Sequence, residues 1–167
     1  MRFYIRVIDN LNEWVGWGAS FLLIPLACVT MFEVFMRYIM DRPTIWAWDL
    51  NIQIFAALIM LGGGDALRRK CHVMVDVMVQ DLTPRRRAIL DLITSVVFFF
   101  GVVTLLVGGW DQAWRSWKVG ETMPTVWAPP YYTMKMMIPI GALLVLLQGI
   151  AEFFRNLLIV TKPAEGE

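Results

Sequence analysis

Side chains that do chemistry are scarce in this chain. It has a single histidine, His72, and two cysteines, Cys28 and Cys71, with no CxxC between them. A zinc site takes three or four convergent ligands, so one histidine excludes it by number. A cytochrome b holding two haems through paired histidines is excluded for the same reason. The missing CxxC excludes dithiol exchange and leaves two reduced thiols without an assigned role. Walker, GxSxG and HExxH patterns are all absent, and no pair of carboxylates falls in the middle of an apolar run. The chain therefore reads as a non-enzyme with no cofactor, no metal and no nucleic-acid partner. Charge is also thin: 17% of residues carry it, against roughly 25% in an ordinary soluble domain.

What the chain has instead is apolar length. Hydrophobic residues make up 58% of it, above the roughly 45–50% of soluble domains. They gather in four runs at 14–36, 46–67, 88–110 and 134–160. About twenty residues at 1.5 Å rise cover a hydrocarbon core of roughly 30 Å, so each run is long enough to cross. The fold class is an all-α integral membrane protein with four transmembrane helices and short amphipathic interfacial helices. The chain divides into an interfacial segment (1–13), a four-span domain (14–160) and a tail (161–167). A cleaved signal is not expected, since the first run is too long for one and no small-x-small site follows it.

Basic residues set the expected orientation. Arg68, Arg69, Lys70, Arg85, Arg86 and Arg87 crowd the loop between spans two and three. With that loop and both termini in the cytoplasm, ten of the fifteen basic residues lie inside. The positive-inside rule selects this N-in, C-in arrangement. Trp46, Trp48, Trp110, Trp114, Trp117 and Trp127 then fall near the outer interface. Asp41-Arg42-Pro43-Thr44 makes the outer turn between the first two spans. Thr83-Pro84 supplies an N-cap and a first-turn proline where the third helix begins. Pro139 either kinks the fourth helix or sits in its first turn. Phe3, Val7 and Leu11 recur at helical spacing among Arg2, Arg6 and Asp9, which suits a helix lying on lipid.

Three polar groups stand out against this background. Glu33 and Arg37 are one turn apart near the outer end of span one, and Asp49 opens span two. A charge in a span is costly enough to require a partner or water. A structural Glu33–Arg37–Asp49 ion cluster is preferred over an ion path, because a basic residue is at hand and the depth is shallow. Asp65, Arg68, Arg69, His72 and Asp76 form a second group at the inner end of span two. A positioning or partner-contact role suits them better than metal binding. Val73, Val75, Val77 and Val79 alternate with Met74, Asp76, Met78 and Gln80. A lone strand there leaves its backbone unpaired, so a helix is expected.

The third group is Trp114, Arg115, Trp117 and Lys118, on an amphipathic continuation of span three. Tryptophan anchoring is one reading of it. Docking of an external protein is the other, since aromatics and arginine are favoured interface anchors. Gly62-Gly63-Gly64, Gly101, Gly108 and Gly109 permit close helix approach.

The order of residues resembles a family. Glu33-Val-Phe-Met-Arg37-Tyr38, Pro43, Trp46-Ala-Trp-Asp49-Leu50, Gly64-Asp-Ala-Leu-Arg68-Arg69, His72-Val-Met-Val-Asp76 and Leu82-Thr-Pro84-Arg85-Arg86-Arg87 occur in sequence. Together they resemble the small membrane subunit of TRAP (tripartite ATP-independent periplasmic) transporters, from about residue 14 to 160. Where that family usually has glutamate after the span-two tryptophan, this chain has Asp49. The resemblance implies uptake of organic acids across the bacterial inner membrane, typically driven by a sodium gradient. It also implies two protein partners beside membrane lipid: a large multispan subunit that carries the solute and a periplasmic solute-binding protein. The small subunit scaffolds the first and helps dock the second, with no substrate site of its own. The alternative from another class is a self-sufficient proton-coupled exporter using Glu33.

Overall fold

The computed structural model describes residues 2–69 and 84–161, and all its regular structure there is helical. In chain order the helices are α1 (Arg2–Ser20), α2 (Leu23–Tyr38), α3 (Ala47–Arg68), α4 (Pro84–Val119) and α5 (Tyr132–Thr161). Four stretches are long and apolar enough to cross a membrane: Phe3–Tyr38, Ala47–Arg68, Ala88–Val119 and Tyr132–Thr161. These are the four runs expected. Lys70, Cys71, His72, Asp76 and the alternating Val73–Val79 stretch lie outside the described residues.

The boundary of the leading helix differs from the expectation. The helix does not end near residue 13 but runs on through Trp14 and Trp17, and the chain turns at Phe21–Leu22. Pro25 is the cause. It has no N–H for the Phe21 carbonyl, and its ring crowds that carbonyl, so a continuous helix is broken one turn before it. Short bonds from Phe21 N–H to Gly18 O (3.2 Å) and from Leu22 N–H to Ala19 O (2.9 Å) close the turn.

The helices make a single layer rather than a closed bundle. Helices α3 and α5 pack together at its centre, α2 flanks α3, α4 flanks α5, and α1 crosses α3 and α5. Of the buried apolar residues, six are alanines: Ala19, Ala47, Ala88, Ala113, Ala142 and Ala151. Small residues bring backbones close where lipid gives helices no hydrophobic reason to associate. Gly141 of α5 shows how close, since a Cβ there would stand 2.5 Å from the Met60 carbonyl oxygen of α3. The layer leaves much apolar surface bare. Helix α2 buries no residue, and neither does the most apolar window of α4.

The α2–α3 turn and the α4–α5 loop lie at one end of the layer, joined there by Asp49 of α3 and Thr125 of the loop. The opposite end, where α3 and α5 finish, carries α1. Helix α4 has 36 residues and so measures about 54 Å at 1.5 Å per residue, well beyond a hydrocarbon core. Pro139 is inside α5, past its first turn, so it withholds an N–H from the Lys135 carbonyl.

Candidate functional site

The turn between α2 and α3 is fastened by Glu33. Its Oε1 accepts hydrogen bonds from Arg37 Nε (3.0 Å) and Nη2 (2.6 Å). Its Oε2 accepts from the Thr44 backbone N–H (3.2 Å) and, in a short contact, from the Thr44 hydroxyl. Asp41 bends the chain through the left-handed region at φ 53° just before Pro43. The expected three-residue cluster is thus corrected. Thr44 takes the place assigned to Asp49, and among the described residues no ion pair joins Asp49 to Arg37.

Asp49 has a different role. It is 1% exposed and sits in the first turn of α3, where the positive end of the helix favours a carboxylate. Its Oδ2 accepts the Thr125 hydroxyl at 2.5 Å. That bond ties the α4–α5 loop to α3 across 76 residues of sequence. Two further polar contacts link the helices near this end: Asn51 Nδ2 donates to Thr30 Oγ1 (3.2 Å), and Thr133 Oγ1 donates to Gln53 Oε1 (3.1 Å).

The α4–α5 loop is itself well braced. Gly120 adopts φ 66°, the left-handed conformation that ends a helix cheaply only at glycine. Gly120 N–H bonds Trp117 O (3.2 Å) and Glu121 N–H bonds Ser116 O (3.1 Å), the paired closure of a Schellman motif. Beyond it, Met123 N–H reaches Pro129 O (2.9 Å) and Tyr131 N–H reaches Glu121 O (2.8 Å). Glu121 pairs with Lys135 at 2.5 Å, and that ammonium holds the Glu121 carboxyl below its ordinary range. Lys135 also lies over the Tyr131 ring, 4.6 Å from its centre.

The last turns of α4 project the aromatic group. Trp110 and Trp114 stack with ring planes 9° apart, and Lys118 Nζ lies 5.5 Å from the Trp114 ring centre. Arg115 pairs with Asp111 one turn back (2.5 Å) and remains 75% exposed at its side chain. Trp117 packs edge-on against Tyr132 at 4.6 Å. Ala113 and Ser116 are buried on the opposite side of the same turns. The structure thus leaves Trp114, Arg115, Trp117 and Lys118 all exposed, with Trp117 also braced against Tyr132.

At the other end, Asp65 accepts Arg68 Nε (2.9 Å) and Arg69 Nε (2.7 Å), and Arg68 Nη1 also reaches Glu13 of α1 (3.3 Å). His72 and Asp76 of the expected group lie outside the described residues. Beside it runs a polar network that the sequence reading missed. Asn12 Nδ2 donates to Ile8 O (3.2 Å) and to Gln148 Oε1 (2.9 Å), and Gln148 Nε2 donates to Asp9 Oδ1 (2.9 Å). Arg155 Nη2 holds Asp9 Oδ2 (2.7 Å), and its Nη1 pairs with Glu152 in a short contact. Asn12 and Gln148 are fully buried, and Asn12 Oδ1 has no hydrogen-bond donor, lying instead against Gly64. A signal was available: Gln148 interrupts an apolar run, and a polar side chain in a span needs a polar neighbour.

Among the described residues, no group of His, Cys, Asp or Glu is arranged to hold a metal. The polar groups of the described residues fasten helices and turns to one another.

Known proteins have sequences similar to this one. The profile of the DctQ component of tripartite ATP-independent periplasmic transporters matches residues 26–158. The C4-dicarboxylate TRAP transporter small permease protein DctQ of Vibrio cholerae is 24% identical over 122 residues, covering 70% of this chain and 51% of that one. The sialic acid TRAP transporter small permease protein SiaQ of the same species is 22% identical over 111 residues, 66% of this chain and 62% of that one. The sialic acid TRAP transporter permease protein SiaT of Haemophilus influenzae is 24% identical over 95 residues, 57% of this chain but 15% of that one. The chain thus spans about half to three-fifths of the small permeases it matches. With the profile covering most of its length and four helices able to cross a bilayer, this chain belongs to the DctQ-component family of TRAP transporters, as a multi-pass protein of the bacterial inner membrane.

Proposed function

We propose that this chain is the scaffolding small subunit of a TRAP uptake system, with no substrate or cation site of its own. One observation carries the reading: the helices form a thin layer in which α2 buries nothing and α4 presents an apolar window with no buried residue. A layer of this kind is suited to lie against a larger multispan protein and widen it in the bilayer. The match to a 95-residue portion of SiaT, 15% of that permease, supports such a neighbour, since there the same kind of segment belongs to a longer membrane chain.

The end bearing α1 faces the cytoplasm on this reading, and the α2–α3 turn and α4–α5 loop face the periplasm, which the distribution of arginine and lysine supports. The open surface of Trp114, Arg115 and Lys118, braced by Trp117, helps receive a soluble solute-binding protein. Its two cations match an acidic partner surface, and their long-range field speeds encounter. The solute is an organic acid and the driving gradient is sodium, both handled by the large subunit. Glu33 is structural: both of its oxygens are engaged by Arg37 and Thr44, which weighs against a proton-carrying role in a self-sufficient exporter.

The experiment has two stages. A tagged chain extracted from native membranes in mild detergent should bring down a large multispan protein in equal amount. Recovery of the chain alone in several detergents would overturn the subunit reading. In the assembled complex, reversing Arg115 and Lys118 to glutamate should weaken uptake at limiting binding protein and leave the yield of complex unchanged. Undiminished uptake would remove this surface from the docking site.

A further inference from the structure

Where α1 passes the end of α3, the two helices leave an open groove of about 440 Å³ lined by Ile5, Arg6, Asp9, Asn10 and Arg68. Its charges are mixed, and they are not equally engaged. Arg68 is divided between Asp65 and Glu13, and Asp9 between Gln148 and Arg155. Arg6 is exposed and has no ion-pair partner among the described residues. On the acidic side Glu13 has Arg68 as its contact at 3.3 Å and keeps about half of its side chain in the open. The groove therefore offers one uncommitted cation, Arg6, and at its rim, beyond Arg68, lies the loosely held carboxylate of Glu13.

The surface around it specifies the kind of ligand. Phe3, Val7, Leu11, Trp14, Trp17 and Phe21 are all exposed and recur every three or four residues, so α1 carries a continuous apolar stripe. Its other side, with Asn12, Asp9 and Gly16, is packed against α3 and α5. This is the reverse of a helix on a soluble protein. The apolar stripe belongs in acyl chains, and the groove then lies at headgroup depth beside it.

From this we infer that the groove seats a zwitterionic phospholipid headgroup of the phosphoethanolamine type. Arg6, with the Asn10 amide, donates to the phosphate, and the Glu13 side of the groove accepts from the ammonium. The acyl chains run along the stripe from Phe3 to Trp14. Local charge favours a zwitterion over an anionic lipid. Within the groove and on its rim, Arg6 and Arg68 stand against Asp9 and Glu13, so the groove itself has no net charge to offer an anion. The inference rests on α1 lying at the membrane interface and does not depend on which transporter the chain serves.

The test is lipid retention by the full chain, purified with whatever accompanies it and exchanged into detergent. Native mass spectrometry is then run against phosphatidylethanolamine, phosphatidylglycerol and soluble phosphoethanolamine. The ethanolamine lipid should be retained preferentially, and Arg6→Ala should weaken that retention about tenfold, as expected for one charge-assisted contact. Glu13→Gln should instead shift preference toward the glycerol lipid. Unchanged retention in Arg6→Ala overturns the site, and a wild-type preference for phosphatidylglycerol overturns its zwitterionic character. Equal competition by soluble phosphoethanolamine overturns the role given to the acyl chains. Arg6 is exposed, so its loss should leave the melting temperature unchanged; if it does not, Asn10→Ala replaces it with the same expected direction.

Discussion

Gln148 is the residue on which the seating of α1 depends most. It is fully buried and bridges two α1 side chains, accepting from Asn12 at 2.9 Å and donating to Asp9 at 2.9 Å. Gln148→Leu keeps the volume and removes both bonds. A buried neutral hydrogen bond is worth about 1 kcal/mol and one to a charged group about 1.5–3, while hydrogen bonds between membrane helices average about 0.6. Asp9 keeps Arg155 and Asn12 keeps the Ile8 carbonyl, so neither is stranded. The expected loss is about 2 kcal/mol, or about 4–8 °C in melting temperature for a chain of this size. Asn12→Leu alone should cost a similar amount. The double variant should cost less than the two together by about 0.5–1.5 kcal/mol, because removing both partners leaves no unpaired amide. Unfolding in mixed detergent micelles measures the cycle, and amide exchange over residues 2–20 reports whether α1 loosens. If the two losses add within about 0.5 kcal/mol, or α1 exchanges no faster in Gln148→Leu, the network does not hold α1 in place.

Two further expectations concern the α4–α5 loop. Ala128 sits at φ 49°, a conformation that costs a non-glycine residue about 1–2 kcal/mol; Ala128→Gly should therefore stabilise the loop by about 0.5–1 kcal/mol after the extra chain entropy of glycine is subtracted. A melting temperature that falls instead would mean that the alanine methyl makes a contact worth more than the strain. Lys135 lowers the Glu121 carboxyl below its ordinary 4.5, so the stabilisation it provides is fully present above 4.5 and fades as pH drops through the lower folded value. Amide exchange in residues 121–131 should speed up in that acid window in the native chain and be insensitive to it in Glu121→Gln; equal acid sensitivity in both would refute the pairing.

Length and composition made the spans legible. A helix that crosses lipid must satisfy its backbone internally and must be about twenty apolar residues long, and both demands are written locally. The start of α4 at Pro84 was readable for the same reason, because a proline in the first turn acts on its own neighbours. Pro25 was equally local and went unread, and with it the break between α1 and α2. The Glu33–Arg37 pair followed from one-turn spacing. Asp49 did not, since its neighbour Thr125 is 76 residues away and the nearer Thr44 had already filled the space beside Glu33.

The sequence by itself determined that four stretches are long and apolar enough to cross a membrane, and which family the chain resembles. Each of those properties depends on residues within a turn or two of one another. The tertiary structure alone decided that the helices lie in one layer and that Asn12 meets Gln148 across 136 residues. It also decided that Trp117 packs against Tyr132 while Trp110 and Trp114 stack on each other. Those outcomes depend on the depth and rotation at which helices pack, and small residues such as Gly64 and Gly141 fix both by admitting a neighbouring helix that any larger side chain would hold away.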